Sequence, residues 1–308
     1  MPVDAIDAID SAAADVPADS PVADAITDAG SDAGTPPAFY AGLYVNGFDT
    51  ILADPARRNA LLTWSQRNGF NALTLYQLRT VLSTSSLRDA LGPFIHEART
   101  SSGIHEIVAV QGGGSDFATR IRPWEDPLDP SQRFDGYNLE REWWNRDGTF
   151  ADYTMDLMAM RNAAAGSSSP HTVEEYVGWF NDPLGSSTES QIATTLVQYS
   201  DRTLVHDYRV APDFGYTRTR LEALGAAAAA AGRVYDVIVI FSAEATANGD
   251  PNEFMGEYFH TTGGDHSFMD AYREYERQWN ATDFANRAAL HLAGYEVFAY
   301  SQASWARP

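Results

Sequence analysis

The chain has 308 residues and a net charge of −21, enough for one large domain or two small ones, and such an acidic surface repels phosphate backbones and argues against nucleic acid as a partner. It contains no cysteine and no lysine, all 21 basic residues being arginine, which excludes disulfides, thiolate nucleophiles, Cys-ligated zinc, lysine Schiff bases and the P-loop lysine. No apolar run approaches 18 residues, so no transmembrane segment is expected.

Residues 1–37 carry eight aspartates and neither a basic nor an aromatic residue, which predicts a self-repelling, disordered tail. The tail is similar in composition to the Asp/Ala/Gly spacers that tether bacterial surface lipoproteins, which points to an extracellular or cell-surface setting, although the lipid-bearing cysteine is absent. The start of the chain has no charged segment followed by an apolar one, so no signal peptide is expected in it.

From residue 38 onward, strand-like and helix-like segments alternate. Strands are predicted at 39–45, 72–78, 106–111, 134–140, 174–180, 202–208, 235–242 and 295–300. Helical patterns occupy 54–69, which has an Asp N-cap, Pro at the first helical position and Gly at the end, and 85–103, 148–166, 187–201 and 216–232. A long helical stretch over 267–294 precedes the last strand. The proline-rich connection between the third and fourth strands lacks a clear helix. Eight strands alternating with helices predict a (β/α)8 TIM barrel behind the tail. No G-x-G-x-x-G follows the first strand, which disfavours a doubly wound open sheet.

In such a barrel the working groups sit where the strands end. The predicted ends supply Tyr44 with Asn46, Tyr76, Gln77, Gln111, Glu140, Glu142, Trp179, His206, Asp207, Tyr208, Ser242, Glu244, Tyr300 and Gln302. Carboxylates, amides and aromatic faces together suit a sugar-processing cleft. The fourth strand is the most specific element. If Tyr137 and Leu139 face the helices, period-two alternation turns Asn138, Glu140 and Glu142 towards the barrel axis. Two acids two residues apart on an inward face push their pKa values apart, so one can stay protonated and serve as a general acid. The competing expectation is a structural salt bridge to Arg133, Arg141 or another arginine.

Asp135-Gly136-Tyr137-Asn138-Leu139-Glu140-Arg141-Glu142 resembles the D-x-x-D-x-D-x-E signature of glycoside hydrolase family 18, the chitinase-like barrels. Phe134 completes the "FDG" start of that signature. Gln111-Gly112-Gly113-Gly114 is similar to the family's S-x-G-G element. The resemblance implies an eight-stranded barrel, a proton donor at Glu142 and a supporting acid at Glu140. It also implies a carbohydrate substrate whose own N-acetyl group is the nucleophile. The chain departs from the pattern in three places. Asn138 and Glu140 replace aspartates, Gln111 stands where serine is expected, and the sixth strand reads Val205-His206-Asp207-Tyr208 in place of Met-x-Tyr-Asp. These changes fit the barrel and the acid's position better than they fit chitin.

A second arrangement pairs Glu142 with Glu244, just past the seventh strand, as the close carboxylates of a retaining glycosidase. At the sixth strand, alternation allows either His206 and Tyr208 or else Asp207 to face inward. Glu257, His260, Asp265 and His266 form a loose cluster that matches no strong metal motif and reads better as a Gly-rich lid. Gly112–Gly114 could cradle an anion, which the acidic charge disfavours. Trp143, Trp144, Trp179 and Trp305 are candidate stacking platforms, with Trp179 first and Trp143 expected in the helix layer. The expected activity is glycosidic bond hydrolysis without metal or organic cofactor, with a catalytically silent carbohydrate-binding barrel as the alternative.

Overall fold

The computed structural model describes residues 39–245, 254–260 and 266–307. Eight parallel strands close into a barrel in sequence order. They are β1 (Tyr40–Val45), β2 (Ala72–Leu75), β3 (Glu106–Gln111), β4 (Gly136–Leu139), β5 (Thr172–Val177), β6 (Arg202–His206), β7 (Tyr235–Ser242) and β8 (Leu290–Phe298).

The helices follow local signals in the sequence. Asp54 caps Pro55–Arg67 by accepting from the amide of Ala56. Reciprocal capping boxes open Phe150–Ala165 (Thr149 with Asp152), Glu189–Tyr199 (Thr188 with Gln191) and Phe268–Ala281 (Ser267 with Asp270). The long helical expectation over 267–294 is corrected here. The helix ends at Ala281, and Leu290 already belongs to β8. Leu290 and Leu292 mark a period-two strand start, which the alanines around them disguise as helix. The irregular connection between β3 and β4 contains short helical turns at Phe117–Ile121, Arg122–Glu125 and Pro130–Gln132.

Strand parity separates two interiors. Leu43, Leu73, Ile107, Tyr137, Leu139, Val173 and Val205 lie buried between barrel and helices. The even-numbered residues of β1–β6 face the lumen. Their contacts reach across strands that are not neighbours, as only the lumen permits. Thr74 on β2 donates to Glu296 on β8 (2.5 Å), Arg202 on β6 donates to Glu106 on β3 (2.5 Å), and the Arg202 guanidinium lies 4.4 Å from the centre of the Tyr40 ring on β1. Gly42 leaves the space that the Tyr40 ring fills, since a Cβ there would lie 2.4 Å from it. The lower lumen is therefore packed with charge and hydrogen bonds, where many barrels hold aliphatic layers.

Candidate active site

The fourth-strand face is oriented by its neighbours. Tyr137 stacks on Phe117 and His171 in the outer layer, and Trp143 packs on Phe150 and Tyr153 of the following helix. The opposite parity turns Asn138 into the lumen and carries Glu140 and Glu142 to its C-terminal mouth. Asn138 donates through Nδ2 to Glu174 Oε1 (2.7 Å). The ladder runs one step past β4, with the Glu140 amide donating to the carbonyl of Gln111 (3.0 Å).

Glu140 Oε2 is buried and has no hydrogen-bond partner among the described residues. Burial, reinforced by the neighbouring Glu142, pushes the Glu140 pKa up to about 8. Glu142 leads into the turn Trp143–Asn145 and accepts from Asn145 Nδ2 (2.5 Å) and from the Tyr176 hydroxyl. Its pKa is also raised, chiefly by burial and further by Asp147, against the two hydrogen bonds. Among the described residues, no arginine pairs with either acid. Arg141 turns away to Asp156 (2.6 Å), and Arg133 binds Ser168, Ser169 and the Leu128 carbonyl.

Aromatic rings surround these acids. Tyr44 packs on Tyr76 and Phe298 with ring centres 5.3 and 5.8 Å apart, and Tyr208 reaches Phe298 at 6.4 Å and Tyr176 at 6.1 Å. Among the described residues, the hydroxyls of Tyr44 and Tyr76 are buried without partners, as are Glu140 Oε2 and Asn138 Oδ1. Natural interiors leave few such groups. Four of the fourteen such atoms among the described residues lie together at the C-terminal half of the lumen, on or one residue past β1, β2 and β4.

The sixth-strand alternatives resolve in favour of His206 and Tyr208. His206 faces the lumen with Nδ1 3.3 Å from the Tyr176 hydroxyl and Nε2 3.3 Å from that of Tyr216. Burial, then Arg220, lowers its pKa and keeps it neutral. Trp179 is 42 % exposed, and its ring meets His206 and Tyr216 edge-on. Arg220 backs Trp179 at 4.9 Å. On β7, the Ser242 hydroxyl donates to Glu244 Oε2 (2.9 Å), and burial raises the Glu244 pKa against that bond. Both Glu140 and Glu244 act electrostatically on Tyr208.

Several candidates sit elsewhere. Asp207 points behind β6, where it accepts from the Asp213 amide (2.8 Å), and burial raises its pKa. Gln77 adopts a left-handed backbone (φ 53°), and its side chain accepts from the Phe48 amide (3.1 Å). Gln111 is buried on the helix-facing parity of β3. Tyr300 packs on Trp64, a residue of the outer helix Pro55–Arg67, and Gln302 accepts from Ser301, which also bonds Asn46. The Gly114 amide is taken by Asp156 (2.8 Å), and a Cβ at Gly114 would lie 1.8 Å from the Asp156 carbonyl oxygen. The glycine run thus serves close packing against the helix Phe150–Ala165.

Trp144 is buried against Tyr176, and Trp305 stacks on His260 at 5.0 Å. Asp265, from the loose acidic and histidine cluster, lies outside the described residues. Among the described residues no group of three metal-ligating side chains converges.

Sequence reasoning missed Tyr176, Glu174, Asn145 and Phe298. Consecutive glutamates at 174 and 175 hide which parity of β5 faces inward. The spacing Glu174, Tyr176, Gly178 was the available signal.

No protein-family model matches the chain, and no curated protein does. Solved structures do. A GH18 chitinase from Pseudoalteromonas aurantia aligns at 13 % identity over 87 % of this chain and 97 % of its own, with a TM-score of 0.47. A chitinase from Bacteroides thetaiotaomicron aligns at 10 % identity over 86 % and 90 %, also with a TM-score of 0.47. A 2,3-dimethylmalate lyase of the PEP mutase/isocitrate lyase superfamily aligns at 12 % identity over 88 % and 80 %, with a TM-score of 0.46. A fold does not by itself fix a chemistry, so function has to be argued from the residues.

Proposed function

We propose that the chain hydrolyses glycosidic bonds at the C-terminal mouth of the barrel, with Glu142 as proton donor. The observation that carries this reading is the pair Glu140 and Glu142, two carboxyls without arginine partners at the end of β4, both with pKa values raised by burial. A carboxyl that burial makes hold its proton more tightly than usual can protonate a departing sugar oxygen. The aromatic surround, with Trp179 at its rim, offers apolar faces to sugar rings, and the buried hydroxyls of Tyr44 and Tyr76 offer bonds to sugar hydroxyls.

With its pKa pushed up to about 8 by burial, Glu140 donates a hydrogen bond better than it attacks carbon. That favours Glu244 as the second carboxylate. It lies past β7, accepts from Ser242, and shares Tyr208 as an electrostatic neighbour with Glu140. A Glu142/Glu244 pair would make this a retaining enzyme with a protein nucleophile.

The test is turnover of aryl glycosides and oligosaccharides by the wild type and by Glu142→Gln. Loss of turnover with glycan binding retained supports the reading. Equal turnover in the variant removes Glu142 from the reaction. A wild type that binds glycans and never cleaves them is a carbohydrate-binding barrel. Loss of turnover in Glu244→Ala, restored by added azide with a glycosyl azide product, identifies Glu244 as nucleophile.

A further inference from the structure

Asn138 stands where the resembled signature has an acid, and the lumen beneath it supplies a physical reason. Asn138, Glu174 and Arg202 are successive register partners across β4, β5 and β6. Glu174 is fully buried, and both its oxygens are committed. Oε2 accepts from Arg202 Nε (2.6 Å) and pairs with its terminal nitrogen (2.5 Å), while Oε1 accepts from Asn138 Nδ2 (2.7 Å). Arg202 in turn binds Glu106 (2.5 Å). A carboxylate held by an arginine only accepts, so the Asn138 amide has one permitted orientation, with Nδ2 on Glu174 and Oδ1 on the other side. Among the described residues that Oδ1 is buried without a partner, and so is Oε2 of Glu140, two residues along on the same strand face.

We infer that Glu174 is a positioning residue for the mouth: it turns the Asn138 amide so that an acceptor faces the Glu140 carboxyl, which keeps its proton to donate to it. The same geometry makes Asn138 and Glu174 a matched pair. An aspartate at 138 would set a second carboxylate against Glu174 at hydrogen-bond distance, and the acid typical of the resembled signature is therefore incompatible with this β5.

The charged and titratable groups around Glu140 are Glu142 on its own strand, Tyr44 from β1, Tyr176 from β5 and Tyr208 after β6. All are acids or phenols, and among the described residues none supplies a cation that would hold Glu140 ionised. The inference rests on the mouth being the working site, but its test uses no substrate, so a chain that cleaves no glycan leaves the test intact.

The experiment is a ¹³C NMR titration of glutamate side-chain carboxyls in the full chain, with the Glu140 signal assigned by its loss in Glu140→Gln, together with thermal unfolding. In the wild type the expected Glu140 midpoint is about 8. In Glu174→Gln the new amide can take Arg202 with its oxygen and accept no longer from Asn138. Asn138 then turns over, presents Nδ2 to Glu140, and lowers its midpoint by about one unit or more. Asn138→Asp alone lowers Tm by on the order of 10 °C at pH 7. The double variant Asn138→Asp/Glu174→Gln recovers most of that loss and returns the Glu140 midpoint to the wild-type range, because the new aspartate accepts from the new amide. An unchanged Glu140 midpoint in Glu174→Gln overturns the proposal. Should that variant not fold, a double variant no more stable than Asn138→Asp overturns it equally.

Discussion

The hydroxyl of Tyr176 lies 3.3 Å from Nδ1 of His206 and donates to Glu142. A phenol has one proton. Given to Glu142, it leaves the Tyr176 oxygen to accept, from His206 Nδ1–H and from Tyr208, which donates to the same oxygen. His206 Nε2 is then the acceptor that faces the Tyr216 hydroxyl at 3.3 Å. β5 and β6 together thus set the environment of an acid that belongs to β4.

Replacing Tyr176 by Phe removes a donor from Glu142 and destabilises its anion. The Glu142 pKa rises, and the limb of the pH–rate profile that it governs moves to higher pH. A limb that stays in place in Tyr176→Phe would disconnect the two residues.

Glu142→Gln keeps the shape of the side chain and loses the transferable proton. Turnover should fall by about 10²- to 10⁴-fold while oligosaccharide affinity, measured by calorimetry, changes little. A loss of affinity that matches the loss of rate would make Glu142 a binding group.

Trp179→Ala removes the exposed ring at the rim. Because Trp179 is 42 % exposed, Tm should move little, while KM rises about ten-fold, the equivalent of about 1.4 kcal/mol. Arg220, 3 % exposed, stacks on the Trp179 and Tyr216 rings and bonds the carbonyls of Gly178 and Tyr216. Its loss should cost stability as well as binding. An unchanged KM in Trp179→Ala would show that ligand does not reach the rim.

Stability should fall with rising pH through Glu175, a buried carboxyl on the helix-facing side of β5. Burial pushes its pKa up to about 8, against hydrogen bonds from Thr203 and Tyr235. Its folded pKa lies above the unfolded value of 4.5, so the folded state holds a proton that the unfolded state has released. Its contribution is complete below about pH 4.5 and is lost as pH rises to about 8, by on the order of 3–5 kcal/mol. Urea unfolding at a series of pH values checks this, and Glu175→Gln should reduce the slope over that window without touching the mouth, leaving the part that Glu140 contributes.

The barrel was legible because period two and period 3.6 alternate cleanly along the chain, and the inward face of β4 because Tyr137 and Leu139 are apolar on one side only. Legibility failed where a strand passes into its loop. Gln77, one residue beyond Tyr76, turns left-handed and ties down the Phe48 amide. Tyr300, two residues beyond Phe298, swings to Trp64. Phe298, whose ring lies against Tyr44, Tyr76 and Tyr208 and whose peptide bond to Ala299 is cis, gave no polar signal to single it out. The partners of Asn138 were hidden for another reason: Glu174 and Arg202 lie 36 and 64 positions away along the chain, and only closure of the barrel brings them side by side.

The charged column in the lower lumen also discriminates between ways of closing that barrel. A shift of β6 by one residue would turn Arg202 out among the helices and leave Glu106 and Glu174 facing each other without a cation. Aliphatic layers tolerate such slips far better, since one branched side chain can replace another. The salt-bridged lumen therefore acts as a key for strand alignment, and that alignment in turn fixes which side chains reach the mouth.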